Sequence, residues 1–416
     1  MNDRPVQLIV SDDLQRTRVT VFFRLILAIP HLIWLALWGI AAWVAVIVNW
    51  VATLIRGQSP DALHSFLAAY VRYAIHVSAY LLLAAAPFPD FEGRGGYPVD
   101  VRIAPPAPQS RWRVFFRLIL AIPALMISSA LISGSARTYG AYYSYGFGLA
   151  GAAAFLAWFV GVAQARTPRG LRDAIAYALS YSAQLDGYLF LLTDRYPDSD
   201  PQTALPELPS RHDPIGLTVA GSLERNRLTV LLRAILAIPH LIWLALWSLA
   251  ALLAVLANWF VTLAGGISPA WLHNFLAAFL RYQQHVYAYL FLIADPFPGF
   301  TGAPGYPIDP TIAPPAPQNR WTVGFRFVLA IPAVVLSSAY GGVLLVVAVL
   351  GWFACLATGR MPHGLRNAGA LAIRYAAQAN GYVLLLTDAY PYSGPIAPPG
   401  TEPAAALADP FAEPAA

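Results

Sequence analysis

Apolar runs broken at fixed places by one arginine and one proline set the pattern of this chain. RLILAIPHLIWLALW opens at Arg24, and RLILAIPAL, RAILAIPHLIWLALW and RFVLAIPAV repeat it at Arg117, Arg233 and Arg326. Read as one helix, residues 19–55 would reach about 55 Å, far beyond the ~30 Å hydrocarbon core of a bilayer. The polar stretch GSARTYGAYYSYG (134–146) interrupts the second run, and insertions settle at exposed turns. A turn is therefore expected at Leu37-Trp38-Gly39, Leu246-Trp247-Ser248 and Gly341-Gly342, making each run a transmembrane helical hairpin.

A third helix is expected after each hairpin, opened by Pro60, Pro168, Pro269 or Pro362. Its polar positions recur at spacings of 8, 4 and 4: His64, Arg72, His76 and Tyr80 in the first copy, His273, Arg281, His285 and Tyr289 in the third. These share one helical face, so the third helix reads as amphipathic and lying in the membrane interface. Eight spans follow, or twelve if this helix also crosses. PVQLIV, YPVDVRI and PIGLTV precede the hairpins as β-branched, alternating segments, and a fourth such segment is weakened by Pro310. Four short cytoplasmic strands pairing into a small sheet are expected.

The four arginines stand at steps of 93, 116 and 93, so a doubled unit has itself been duplicated with a shift of 209. Gly170 matches Gly364 at 194 instead, which assigns 15 extra residues to the second copy. The fold expected is an all-α membrane protein of four tandem repeats: 1–95, 96–212 with an inserted turn at 132–146, 213–303 and 304–392. The proline- and alanine-rich tail, 393–416, is expected to be disordered.

Composition supports the membrane class: 58% of the 416 residues are hydrophobic and 11% charged, where a soluble domain carries about 25% charged. All 26 basic residues are arginine, which with the alanine-rich segments suggests a GC-rich bacterial genome. Arginines gather at the hairpin ends (Arg16, Arg18, Arg56, Arg111, Arg113, Arg360), while the hairpin turns are uncharged apart from Arg137. The positive-inside rule then places both termini and all hairpin ends in the cytoplasm, beneath a bacterial inner membrane. The net charge of +5 reads as orientation information, not as nucleic-acid binding. The single cysteine, Cys355, lies in an apolar run, so no intrachain disulfide can form.

P-loop, H-E-x-x-H, Rossmann and G-x-S-x-G signatures are absent, and GRGGYP (93–98) reads as a turn. Six of the eight histidines recur at matched places, His31, His64 and His76, then His240, His273 and His285. Imidazoles on facing helices could hold haem or a metal, which makes His64, His76, His273 and His285 the cofactor candidates. Residues twelve apart cannot chelate one ion from a single helix, and no cofactor is expected. Arg24, Arg117, Arg233 and Arg326 are expected to snorkel to lipid phosphates while each proline bends its helix. Arg72, Arg281 and Arg374 are candidates for contact with anionic lipid or a membrane-protein partner.

The R-x5-P-H-L-I run, the proline-opened third helix and the closing LLTDRYP (191–197) and LLTDAYP (385–391) resemble a bacterial membrane family catalogued as a domain of unknown function. The odd repeats depart from its closing motif, with AAAPFP and IADPFP. The resemblance implies a repeated multi-pass membrane fold and no activity. Of the functions open to such a chain, a scaffold or a lipid- or partner-binding membrane component fits best, ahead of a transporter or channel. A haem- or metal-bearing membrane enzyme comes third.

Overall fold

The computed structural model describes residues 4–133, 136–139, 142–145 and 147–397. In the first repeat, β1 (Val6–Val10) leads through α1 (Arg18–Phe22) and α2 (Arg24–Leu27) into the long α3 (Ile29–Arg56), and α4 (Asp61–Leu81) returns beside it. The second holds β2 (Val99–Ile103), α5 (Arg111–Phe115), α6 (Arg117–Leu120), α7 (Ile122–Ser128), the strands β3 (Ala136–Tyr139) and β4 (Tyr142–Tyr145), α8 (Leu149–Gln164) and α9 (Arg169–Leu189). The third runs β5 (Ile215–Val219), α10 (Arg227–Leu236), α11 (Ile238–Gly265) and α12 (Ala270–Leu290). The fourth runs β6 (Ile308–Ile312), α13 (Arg320–Gly324), α14 (Arg326–Thr358) and α15 (His363–Val383).

The expected hairpin turns do not form. Helix runs unbroken through Leu37-Trp38-Gly39 in α3, Leu246-Trp247-Ser248 in α11 and Gly341-Gly342 in α14. Gly39, Gly341 and Gly342 are tolerated inside the helices without positive φ, and the stops come later, at Gly57, Gly266 and Gly359, all left-handed C-caps (φ 73–78°). In the second repeat the insertion interrupts the long helix instead. A π-helical turn, Ser129–Ser133, precedes the antiparallel β3–β4 hairpin, and α8 then resumes.

The repeats assemble as layers. The long helices of repeats 1, 2, 4 and 3 lie side by side in that order, and α4, α9, α15 and α12 form an inner layer beneath them. Partners within each half run antiparallel. The Trp50 indole, near the end of α3, donates to the Val114 carbonyl at the start of the second repeat (2.9 Å). Conversely, Val21 of α1 packs against Gly161 near the end of α8. Trp259 and Val323 repeat the first contact in the second half (2.8 Å).

The inner helices are not interfacial. α9 and α15 are buried almost all round, and the polar faces of α4 and α12 are covered by strands and loops rather than by water or headgroups. The four expected strands do form, but as two separate antiparallel pairs, β1–β2 and β5–β6. Pro310 is accommodated in β6, opposite Leu217, because a two-stranded sheet has only edges. Of the tail expected to be disordered, residues 393–397 are described and Ser393 is buried, its carbonyl accepting from the Tyr340 hydroxyl. Residues 398–416 lie outside the described residues.

One close approach is tight enough to test. Gly93, at φ +66°, lies where a Cβ would sit 2.8 Å from the Ala69 carbonyl oxygen, whereas a Cβ at Gly299 meets nothing within 4 Å. Gly93→Ala should lower the unfolding free energy by about 2–3 kcal/mol, while Gly299→Ala stays within about 0.5 kcal/mol, as read by denaturation in detergent.

Candidate functional site

The four repeated arginines turn inward rather than snorkelling. All are at most 2% exposed, and each caps the end of its own repeat's inner helix. Arg24 Nη1 donates to the carbonyls of Tyr80 (2.7 Å) and Ala85 (2.9 Å), and Arg117 Nη1 to Tyr188 (2.6 Å) and Thr193 (2.8 Å). Arg233 meets Tyr289 (3.0 Å) and Ala294 (2.8 Å), and Arg326 meets Thr387 (3.1 Å). Each guanidinium also lies over the ring of that tyrosine or its equivalent, Tyr80, Tyr188, Tyr289 or Tyr382, at 4.0–4.5 Å.

The chain leaves each inner helix through a leucine in left-handed conformation, Leu83, Leu191, Leu292 or Leu385 (φ 60–67°). Such a conformation is costly for a leucine, and a tight fixture is needed to hold it. The next acid supplies the counter-charge: Asp194 to Arg117 (3.0 Å), Asp295 to Arg233 (2.6 Å) and Asp388 to Arg326 (2.9 Å). In the first repeat Ala86 stands in that place, and Arg24 bonds its carbonyl at 3.4 Å. A second residue caps the leucine carbonyl: Gln109 bonds Leu191 and Gln318 bonds Leu385, both at 2.6 Å, and Arg16 bonds Leu83 at 3.0 Å.

Arg72 and Arg281 face the strands. Arg72 Nε donates to the Val101 carbonyl (3.1 Å) and lies 3.5 Å from Asp100, and Arg281 lies 3.4 Å from Asp309. Arg374 is buried at the polar side, donating to the Gly394 carbonyl, with its Nε and Nη1 unpartnered. It lines a cavity of about 700 Å³ with His212, Asp213, Arg366 and Asn367.

His76 and His285 each meet the strand aspartate at 2.9 Å, Asp100 or Asp309. Burial pushes the Asp100 carboxyl up, but hydrogen bonds from His76 and the Gly96 and Val101 amides outweigh it and hold the group below its ordinary range. Burial depresses His285 despite Asp309. His273 bonds the Ala313 carbonyl (3.0 Å), and burial lowers both it and His64. His31 and His240, not singled out as cofactor candidates, bond Tyr73 (2.7 Å) and Tyr282 (2.8 Å). Among the described residues no three of histidine, cysteine, aspartate and glutamate gather as metal ligands.

Sequence reasoning missed the acid half of the arginine clamp, as well as Asn49 and Asn258. Each of these asparagines reaches from a long helix to a carbonyl of the neighbouring repeat, Phe190 (3.0 Å) or Leu384 (3.3 Å). The 209-residue shift carries Asn49 onto Asn258, which was the available signal.

Opposite the inner layer, the long helices expose apolar side chains along their whole length: Ile40 is 67% exposed, Trp43 69% and Leu253 70%. Three helical stretches are long and apolar enough to cross a membrane, Arg24–Arg56, Arg227–Gly265 and Arg326–Thr358, by length and composition. Only 11% of the most apolar part of the first is buried within the protein, so most of its apolar surface is unpartnered.

Asp186 lies half-buried in α9 near Tyr70, and burial pushes its carboxyl up to about 7. The folded state then holds a proton that the unfolded chain releases near pH 4, so this group lowers stability as pH rises from about 4 to 7. Asp186→Asn should therefore be more stable than wild type at pH 8, by at most about 4 kcal/mol, and nearly equal to it at pH 4. Denaturation midpoints at the two pH values check this.

No curated protein and no solved structure matches the chain. A family model described as a domain of unknown function, DUF4389, matches residues 18–91, 227–301 and 320–393, the first, third and fourth repeats. Those segments make up more than half of the sequence, so the chain belongs to the DUF4389 family.

Proposed function

We propose that this protein is a membrane-held scaffold, anchored by its long-helix layer and presenting its opposite, polar side to a partner. The observation that carries the reading is the division of the surface. Large apolar side chains crowd the long helices, while aspartates, arginines and strands occupy the other side. Apolar surface on this scale has no place in water. The cavity walled by Arg366, Arg374 and His212 is the place on the polar side best suited to an anionic group of a partner or of a lipid headgroup. The repeated arginines hold the slab together, and those at the helix ends, Arg18, Arg56, Arg111 and Arg320 among them, are exposed for contact with anionic lipid.

Fractionation tests the anchoring. The full-length protein should stay in the membrane pellet through high salt and alkaline carbonate and leave it only with detergent. Recovery in the soluble fraction would overturn the reading.

A further inference from the structure

We infer that the apolar layer lies flat in one leaflet of the bilayer, its helices parallel to the membrane plane, and does not cross it. The occupant of this face is the acyl region of a single lipid leaflet. This deepens the membrane-anchored reading above and rests on it.

Three observations carry it. The first is the direction of the long helices. Because α3 and the long helix of the second repeat are antiparallel, exposed arginines stand at both ends of the layer. Arg166, whose backbone bridges to Gln15, and Arg18 mark one end, and Arg56 and Arg111 mark the other, where Arg111 bonds the Ile55 carbonyl (2.9 Å). The 28 residues of α3 set these ends about 42 Å apart. Crossing helices would put half of these arginines on each side of the membrane, against the positive-inside bias; flat helices keep them all at one surface.

The second is the placement of charge along the helices. Glu92 and Arg94, paired and mostly exposed, follow Phe91, whose carbonyl accepts from the Trp34 indole (2.9 Å). Trp34 is ten residues beyond Arg24, about 15 Å along the layer. The Asp100–Arg72 and Asp309–Arg281 pairs likewise lie over the middle stretches of α4 and α12. Charges at these levels would stand at hydrocarbon depth in a crossing bundle. In a flat slab the exposed Glu92–Arg94 pair faces water, and the two strand-covered pairs lie within the polar side, away from the lipid.

The third is charge complementarity at the rim. The exposed arginines surround an apolar face, as in a helix that lies in the interface with its cations at headgroup level. Trp112 (75% exposed) and Trp321 (77%) stand among them and suit the same depth.

Impermeant-maleimide labelling tests this in a full-length Cys355→Ala background. Thr17→Cys and Gln58→Cys bracket α3, Ser222→Cys and Ile267→Cys repeat the test around α10 and α11, and Trp43→Cys reports on the centre of the apolar face. In right-side-out and inside-out vesicles, all four end positions should react from one and the same side. Trp43→Cys should react only after detergent is added. Reaction of the two ends from opposite sides, or protection of the ends from both, would overturn the inference in favour of crossing helices. Trp43→Cys still protected in detergent, in a protein migrating as a dimer, would assign the face to a second copy and also overturn it. A protein absent from the vesicles altogether would instead refute the anchored reading beneath it.

Discussion

A buried guanidinium must be given acceptors or it unfolds what surrounds it, and this chain meets that requirement four times in the same way. Removing an ion from water costs several kcal/mol even after relaxation, so an arginine in an apolar layer needs acceptors for its charge; here the terminal nitrogens find them, while the Nε of each is left without a partner. The ends of the inner helices supply those acceptors. Their last carbonyls lack intrahelical donors and carry the negative end of the helix dipole. Arg117 takes one such carbonyl, that of Tyr188, with the Thr193 carbonyl in the exit loop, the Tyr188 ring and Asp194. The arginine thereby fixes the angle between the long helix and its inner partner, and it holds the left-handed leucine at the exit.

That fixture explains the exchange between neighbouring repeats. With each inner helix clamped to its own long helix, the far end of the long helix is free to serve the next repeat. Asn49 and Trp50 reach into the second repeat, and Asn258 and Trp259 into the fourth. The result is a wide, thin slab instead of a bundle. Its inner layer is sealed on both sides, so the polar stripe of α4 is matched by Asp100 and strand carbonyls rather than by solvent. Among the described residues, the large apolar side chains of its outer layer stay exposed.

Much of this was legible in the sequence. The repeat spacing, the arginine–proline pattern, the proline-opened inner helices and the β-branched strands all reappear in the fold. What misled was depth. An apolar run too long to cross a bilayer directly suggests a hairpin, although no residue between Ile29 and Arg56 forces a turn. Length against membrane thickness decides only for a helix that crosses. The insertion at 134–146, expected to be a turn, lies partly outside the described residues; its described parts pair as the β3–β4 hairpin, which one interrupted copy in four could not reveal. The arginine clamp was invisible because its acceptors are main-chain carbonyls about 60–75 residues further on; only the aspartate of LLTD left a trace in the sequence.

A double-mutant cycle between Arg326 and Asp388, 2.9 Å apart, tests the clamp most directly. Unfolding free energies would be measured for Arg326→Gln, Asp388→Asn and the pair. The account predicts that Arg326→Gln alone costs about 3 kcal/mol or more, because it strands the Thr387 carbonyl, the Gln318 amide oxygen and the Asp388 carboxylate, with a coupling to Asp388→Asn of about 1–3 kcal/mol. An Arg326→Gln protein as stable as wild type, or a strictly additive pair, would contradict it.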